Sequence, residues 1–193
     1  KVEFQHFNAV PHVREIITEQ AQAISQLEEL VIEMDHRYDL LREQSVNNII
    51  DYNGVIVDDH KKMKRKIMIF DEFADWMYDE DFKSRTTAAV NRLSAKARAA
   101  GIHLIIATQR PSNEVLPMIL RANLGIKIAL KVDREQNSKI ILDDGGAENL
   151  YGYGHMIVIA GGEKYLAQGA LIKPSEMPQL VEKIKNKYSS DIV

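Results

Sequence analysis

The chain has 193 residues, 45% of them hydrophobic and 27% charged, with a formal net charge of −3 and no cysteine. This suits one domain with ample core material. It excludes disulfides and thiolate metal sites, and it excludes a basic domain, so any contact with nucleic acid must come from a local cluster of Lys and Arg. No apolar run approaches the roughly 20 residues of a membrane helix, and no signal peptide is visible. These features fit a cytoplasmic protein.

Residues 2–12 read as a short strand or turn ending at Pro11. A long amphipathic helix follows, with Ile17, Ala21, Ile24, Leu27, Val31, Met34, Tyr38 and Leu41 on one face and Gln20, Gln26, Glu33 and Arg37 on the other. Its expected role is to cover a sheet. Residues 46–54 predict a short helix closed at Asn53-Gly54. The cluster Lys61, Lys62, Lys64, Arg65 and Lys66 could bind phosphate, but a solvated loop ahead of a buried strand accounts for it better.

A strand over 66–71 then leads to a helix over 82–100, with Val90, Leu93 and Ala97 inward and Gly101 as the stop. A second strand spans 102–108, and a loop or short helix passes Pro111 and Pro117. Further on come a strand at 126–132, a helix at 135–142, and a turn at Gly145-Gly146. A small helix is expected at 147–151, and strands at 155–160 and 165–172 flank Gly161-Gly162. The last element is a helix over 175–187 capped by Ser175. Strands alternating with helices predict an α/β fold with a largely parallel central sheet.

Two of these strands carry the chemistry. Ile67-Met68-Ile69-Phe70 ends in Asp71-Glu72, and about thirty residues on Ile102-His103-Leu104-Ile105-Ile106-Ala107 ends in Thr108-Gln109-Arg110. Buried strands that deliver polar side chains at their C-terminal ends build the catalytic edge of P-loop ATPases, and the first strand resembles a Walker B element. There the Asp would hold Mg²⁺ through its water shell, and the Glu would orient and deprotonate the attacking water. Gln109, with Thr108 beside it, could sense the γ-phosphate, since an amide both donates and accepts. No GxxxxGK[ST] loop occurs in the chain. Other templates fail. Gly152-Tyr153-Gly154 lacks the third glycine of a dinucleotide fingerprint, Gly161-Gly162-Glu163-Lys164 is not a P-loop, and the six histidines have no zinc spacing. His103 reads as a core or sheet-edge residue.

IMIFDEFADWM, RLSAKARAAGIHLIIATQRPS and ILDDGGAENLYGYGHMIV resemble the motor domain of the FtsK/SpoIIIE DNA translocases, continuously from about residue 66 to 172. VEFQHFNAVPHV and EMDHRYDLLREQSVNNIIDYN are similar to the segments that follow the P-loop in that family. The resemblance implies that residues 1–193 are the C-terminal part of a RecA-like P-loop ATPase core, with the Walker A strand and loop upstream. It implies an ATPase using ATP and Mg²⁺, in a ring, usually a hexamer, that pumps double-stranded DNA through its pore. Asp71 and Glu72 match the Walker B pair and Gln109 the sensor.

A neighbouring subunit would supply a cation to the γ-phosphate; the family has Arg where this chain has Lys127, so either Lys127 acts as a weaker finger, Arg121 substitutes, or activation by the neighbour is impaired. Lys cannot form the bidentate fork of Arg. Lys139, with Arg134 beside it, and Lys164 fall on the two DNA-contacting loops; the family's Arg in the second loop aligns closer to Leu166. Relatives usually have a membrane anchor upstream, so the whole protein is expected at the inner face of the cell membrane. This stretch alone is expected to be nearly inactive. The rival expectations are a conjugative or secretion ATPase moving single strands or protein, and a non-hydrolysing structural subunit of such a ring.

Overall fold

The structure, a computed structural model, describes residues 2–188. Val2–Ala9 form a 3-10 helix, where the sequence suggested a strand or turn. Helix α1 (Gln20–Glu43) buries Ala23, Ile24, Leu27, Val31, Met34, Arg37 and Leu41, a stripe at spacings of three and four. Ile17 lies ahead of the helix yet packs on the same core, whereas Ala21 faces solvent.

Arg37 departs most from expectation. Assigned to the polar face, it is only 4% exposed. Its Nε donates to Glu33 Oε1 at 2.9 Å and its Nη1 to the Ala100 carbonyl at 2.7 Å, satisfying a backbone group 63 positions away. Partial burial pushes the Glu33 carboxyl up, but hydrogen bonds and charge from Arg37 and Lys66 outweigh it and hold the group below its ordinary range. Arg37→Ala is expected to lower the unfolding free energy by about 2–3 kcal/mol in urea titration. That is short of the full cost of breaking a buried pair, because the Glu33 side chain keeps 32% of its surface in water. An unchanged midpoint would contradict it.

Helix α2 (Ile49–Val55) is capped by Asn48, whose Oδ1 accepts from the Ile50 and Asp51 amides. It runs through Asn53-Gly54 instead of closing there. Asn53 instead pins the basic loop, exchanging hydrogen bonds with the Met63 backbone at 2.9 and 2.8 Å. In that loop Lys62 pairs with Asp59, and Lys66 reaches Glu33.

Strands β1 (Lys66–Phe70) and β2 (Ile102–Ile106) pair in parallel, Lys66 opposite Ile102 and Phe70 opposite Ile106. Parallel pairing needs a long crossover, here helix α3 (Glu80–Lys96), capped by Asp79. The helix ends earlier than expected; a turn through 97–100 closes at Gly101, whose φ of +72° admits Gly easily. A Cβ there would stand 2.4 Å from Ile49 Cδ1. Leu27, Met34, Phe73, Val90, Leu93 and Ile102 form the buried centre between α1, α3 and the inner face of this sheet.

The rest of the chain comprises α4 (Met118–Asn123), β3 (Ile126–Leu130), α5 (Glu135–Leu142), β4 (His155–Ala160), β5 (Glu163–Gln168) and α6 (Met177–Tyr188). The fold class is α/β as expected, but parallel pairing among the described residues is confined to β1 and β2. Strands β3, β4 and β5 form a separate antiparallel sheet. Gly161-Gly162 dictates this locally. Both have positive φ, +62° and +86°, the conformation of a two-residue hairpin turn. Strand β5 therefore starts two residues earlier than expected and stops at Gln168. Ser175 does not cap α6; it lies in a 3-10 turn, Pro174–Glu176, where the Glu176 carboxylate accepts from the Lys173 amide. A second small core, Ala129, Leu142, Ala147, Leu150 and Ile157, joins α5 to the antiparallel sheet.

One face of each sheet stays open. Ile67 and Ile69 on β1 are 61% and 59% exposed, and Ile126, Ile128 and Leu130 on β3 are each more than half exposed. No helix of the described residues is long and apolar enough to cross a membrane.

Candidate active site at the strand tips

Parallel register brings the ends of β1 and β2 to one edge, so Asp71-Glu72 meets Thr108-Gln109 there. The contact is direct. Thr108 Oγ1 donates to Glu72 Oε1 at 2.5 Å, and the Gln109 amide donates to Glu72 Oε2 at 2.7 Å. Glu72 Oε1 also accepts from the Ala74 amide at 3.2 Å, so the carboxylate starts the 3-10 turn Phe73–Trp76. The backbones close the same junction: Phe73 N donates to Ala107 O and Ala107 N to Phe70 O, both at 2.8 Å. Asp71 is exposed at the tip, and the Gln109 side chain is exposed beside it.

Desolvation pushes the Glu72 carboxyl up, but donors from Thr108, Gln109 and Ala74, with the charge of Arg110, hold it below its ordinary range. A depressed carboxyl contributes stability that is fully present above its unfolded pKa and is lost as pH falls through the folded value. Thr108→Val removes the side-chain donor. Its expected effect is to raise the Glu72 titration midpoint toward the ordinary carboxylate value and to start acid unfolding at higher pH. Carboxyl ¹³C NMR against pH checks it; an unmoved midpoint would assign the depression to the backbone donors alone.

Arg110 was not singled out in the sequence. Its Nη1 donates to Tyr78 Oη at 3.3 Å, and its amide donates to Thr108 Oγ1 at 3.1 Å. Tyr78, Gln109, Arg110, Ser112, Asp133 and Asn137 line a cleft of about 470 Å³ at this edge. The tripeptide Thr108-Gln109-Arg110 was the available signal; the Tyr78 partnership has no local signature.

The two cations offered as alternatives for a neighbour's phosphate come together on one carboxylate. Lys127 Nζ and Arg121 Nη1 both engage Asp143, Arg121 at 3.3 Å; Arg121 Nη1 also donates to Ile140 O at 2.8 Å and Nη2 to Asn113 Oδ1 at 3.1 Å. Their side chains are only 13% and 16% exposed, Arg121 first. The three cations expected to meet nucleic acid are exposed, and each has an acidic partner. Lys139 pairs with Glu135 at 2.8 Å, Arg134 with Asp133 at 3.5 Å, and Lys164 with Asp144 at 2.8 Å. Such exposed pairs are weak and screened by salt, so a phosphate can displace them. Asp143 and Asp144 were missed by sequence reasoning, although two carboxylates before Gly145-Gly146 mark a turn.

The molecule has the fold of P-loop ATPase motor domains. Over 96% of its length it superposes on the pCW3 conjugation coupling protein TcpA, solved as a monomer form with ATPγS, with a TM-score of 0.81 and 26% identity; the match covers 53% of that chain. Over 94% it superposes on the cytoplasmic domain of the type VII secretion ATPase EccC of Thermomonospora curvata (TM-score 0.71, 20% identity, 22% of that chain), a likeness of fold alone. Residues 1–113 match the FtsK/SpoIIIE family. The whole chain is 37% identical to the DNA translocase FtsK of Bacillus cereus and 34% identical to that of Staphylococcus aureus, covering 26% and 25% of them. The chain belongs to the FtsK/SpoIIIE family, and it spans about a quarter of the length of the curated relatives it matches.

Proposed function

We propose that these residues are part of an ATP-driven motor that moves double-stranded DNA through a ring, usually of six subunits. The observation that carries this reading is the junction of Glu72 with Thr108 and the Gln109 amide, which couples the acidic tip of one strand to the polar tip of the next. In a motor of this family the two tips flank the nucleotide. Asp71, exposed and ending a strand, suits the hard-ion chemistry of Mg²⁺ held through water. Glu72 orients and deprotonates the attacking water, and Thr108 and Gln109 report the γ-phosphate through their link to it. Lys127, with Arg121 behind it, offers positive charge to nucleotide on an adjacent subunit. Lys139, Arg134 and Lys164 meet the nucleic-acid backbone, where charge and hydrogen bonding position without reading sequence.

These 193 residues hold no GxxxxGK[ST] loop, and in this reading a further segment supplies it. The open apolar face bearing Ile67 and Ile69 suits burial beneath such a segment, since parallel strands are ordinarily covered on both faces. The chain by itself is therefore expected to hydrolyse almost no ATP, and turnover comparable to an intact motor would contradict this. A membrane anchor, in this reading, also lies outside the span.

The deciding experiment measures ATPase stimulation of the full-length motor by duplex and by single-stranded DNA of equal length. Preferential stimulation by duplex is expected. Preference for single strands would favour a second reading, a conjugation-type motor, which the superposition on the coupling protein TcpA recommends. No stimulation and no basal turnover would favour a non-hydrolysing structural subunit.

A further inference from the structure

Strand register places Lys127 and Lys164 in one row of the antiparallel sheet. Lys127 lies opposite Ile159, and Ile159 opposite Lys164, so all three side chains share a face, with the lysines about 10 Å apart across two strand spacings. Turn 143–146, at the end of α5, lies against that row. Its first carboxylate, Asp143, takes Lys127 and Arg121; its second, Asp144, takes Lys164, which also donates to the Gly145 carbonyl at 3.1 Å.

The turn is built to hold this arrangement. Ser138, fully buried, donates to the Asp144 carbonyl at 2.8 Å and accepts from the Ala147 amide at 3.0 Å. Asp143 adopts a left-handed conformation, φ +60°, which Asp tolerates better than most residues but which still needs support. Its support comes from the Lys139 carbonyl, accepting from the Asp143 amide at 2.9 Å, and from the two cations on its carboxylate. At Gly146, φ +120°, a Cβ would come within 3.6 Å of Lys164 Nζ, so this turn and the lysine fit against each other.

We propose that turn 143–146 is a charge relay in which each carboxylate stands in for a phosphate. Asp143 holds the nucleotide-facing cations and Asp144 the nucleic-acid-facing lysine, and loss of one pair loosens the other through the shared turn. The relay rests on the reading above that Lys127 serves nucleotide and Lys164 nucleic acid. A phosphate that draws Lys127 from Asp143 removes support from the left-handed residue, shifts the turn, and frees Lys164 for the backbone.

The test has two arms. In the chain itself, carboxyl ¹³C NMR at 0.3 M KCl follows Asp144, which Lys164 and the Gly145 amide hold below its ordinary range. That salt screens the exposed charges around the turn, and Lys127, whose side chain is 16% exposed, less. Lys164→Met is expected to return Asp144 toward its ordinary titration; Lys127→Met is expected to move it the same way by a smaller amount, and Lys127→Arg to restore it. An Asp144 titration unmoved by Lys127→Met overturns the relay, whatever happens with DNA.

In the full-length motor, binding of a fluorescent duplex is read against KCl concentration. Asp144→Asn is expected to tighten binding and steepen the log–log salt slope by about 0.9, one added phosphate contact. Asp143→Asn is expected to give part of that gain, and neither should act in a Lys164→Met background. A gain that persists in that background is a general charge effect and overturns the proposal. If Asp144 responds to Lys127→Met while no form of the motor binds duplex, the relay stands and the choice of cargo fails.

Discussion

Glu72→Gln is expected to lower ATP turnover of the assembled motor by about 10²–10⁴-fold, the range that general-base catalysis supplies. The substitution keeps the side chain's shape and removes its charge and basicity. In the structure both carboxylate oxygens are occupied: Oε1 by Thr108 and the Ala74 amide, Oε2 by the Gln109 amide. An amide in the same place has one acceptor atom, and its NH₂ would face a donor on one side. A stability loss of about 1 kcal/mol should therefore accompany the loss of turnover.

Thr108→Val separates the two effects. It leaves the carboxylate in place and deletes one of its donors, so it should disturb turnover far less than Glu72→Gln. Steady-state hydrolysis with saturating DNA, read beside urea midpoints for both variants, is the measurement. Turnover in Glu72→Gln equal to the parent would remove Glu72 from the chemistry and leave it as the link between two strand ends.

Phe73→Ala is expected to cost about 3–5 kcal/mol, a large part of the 5–15 kcal/mol that holds an ordinary domain. Phe73 is fully buried, and its ring stands edge-on to Phe70, with centroids 5.3 Å apart at 82°. It belongs to the core that α1 and α3 complete, together with Trp76 and Met77. Its position directly after Glu72 gives it a second consequence. The Phe73 amide is bonded to the Ala107 carbonyl, so the ring anchors the residue that sets the Glu72 backbone. Truncation should loosen the carboxylate as well as the core, raising the Glu72 titration midpoint. Phe73→Leu keeps most of the apolar volume and should cost less, about 1–2 kcal/mol. Equilibrium urea unfolding of the three proteins decides it, and a loss below 1 kcal/mol for the alanine variant would refute the central placement of this ring.

Much of the architecture was legible in local pattern. The stripe in α1, the two apolar runs ending in polar residues, the intervening helix and the Gly161-Gly162 hairpin each follow from a period or a backbone preference contained in a few consecutive residues. The strand tips were legible for the same reason: a buried strand must end where polar side chains begin. The joining of the two tips in one site, which periodicity does not encode, followed from the general pattern of paired strand ends in P-loop ATPases.

The tertiary structure decided what depends on partners far apart in the chain. Arg37 reads as a surface residue until the Ala100 carbonyl arrives beside it, because burying a guanidinium requires an acceptor that helical spacing does not specify. Glu72 reads as a free base until Thr108, 36 positions later, donates to it. Lys127 and Arg121 read as alternatives until one carboxylate, Asp143, binds both. Among the described residues parallel pairing also proved local to β1 and β2, since a sheet's extent is settled by which strand edges meet in space. Hydrophobic pattern is a property of neighbours along the backbone; a charge's partner is a property of the folded chain. That is why the sequence by itself determined the elements and the identity of the strand-tip residues, and only the folded molecule determined which of its ions are already paired.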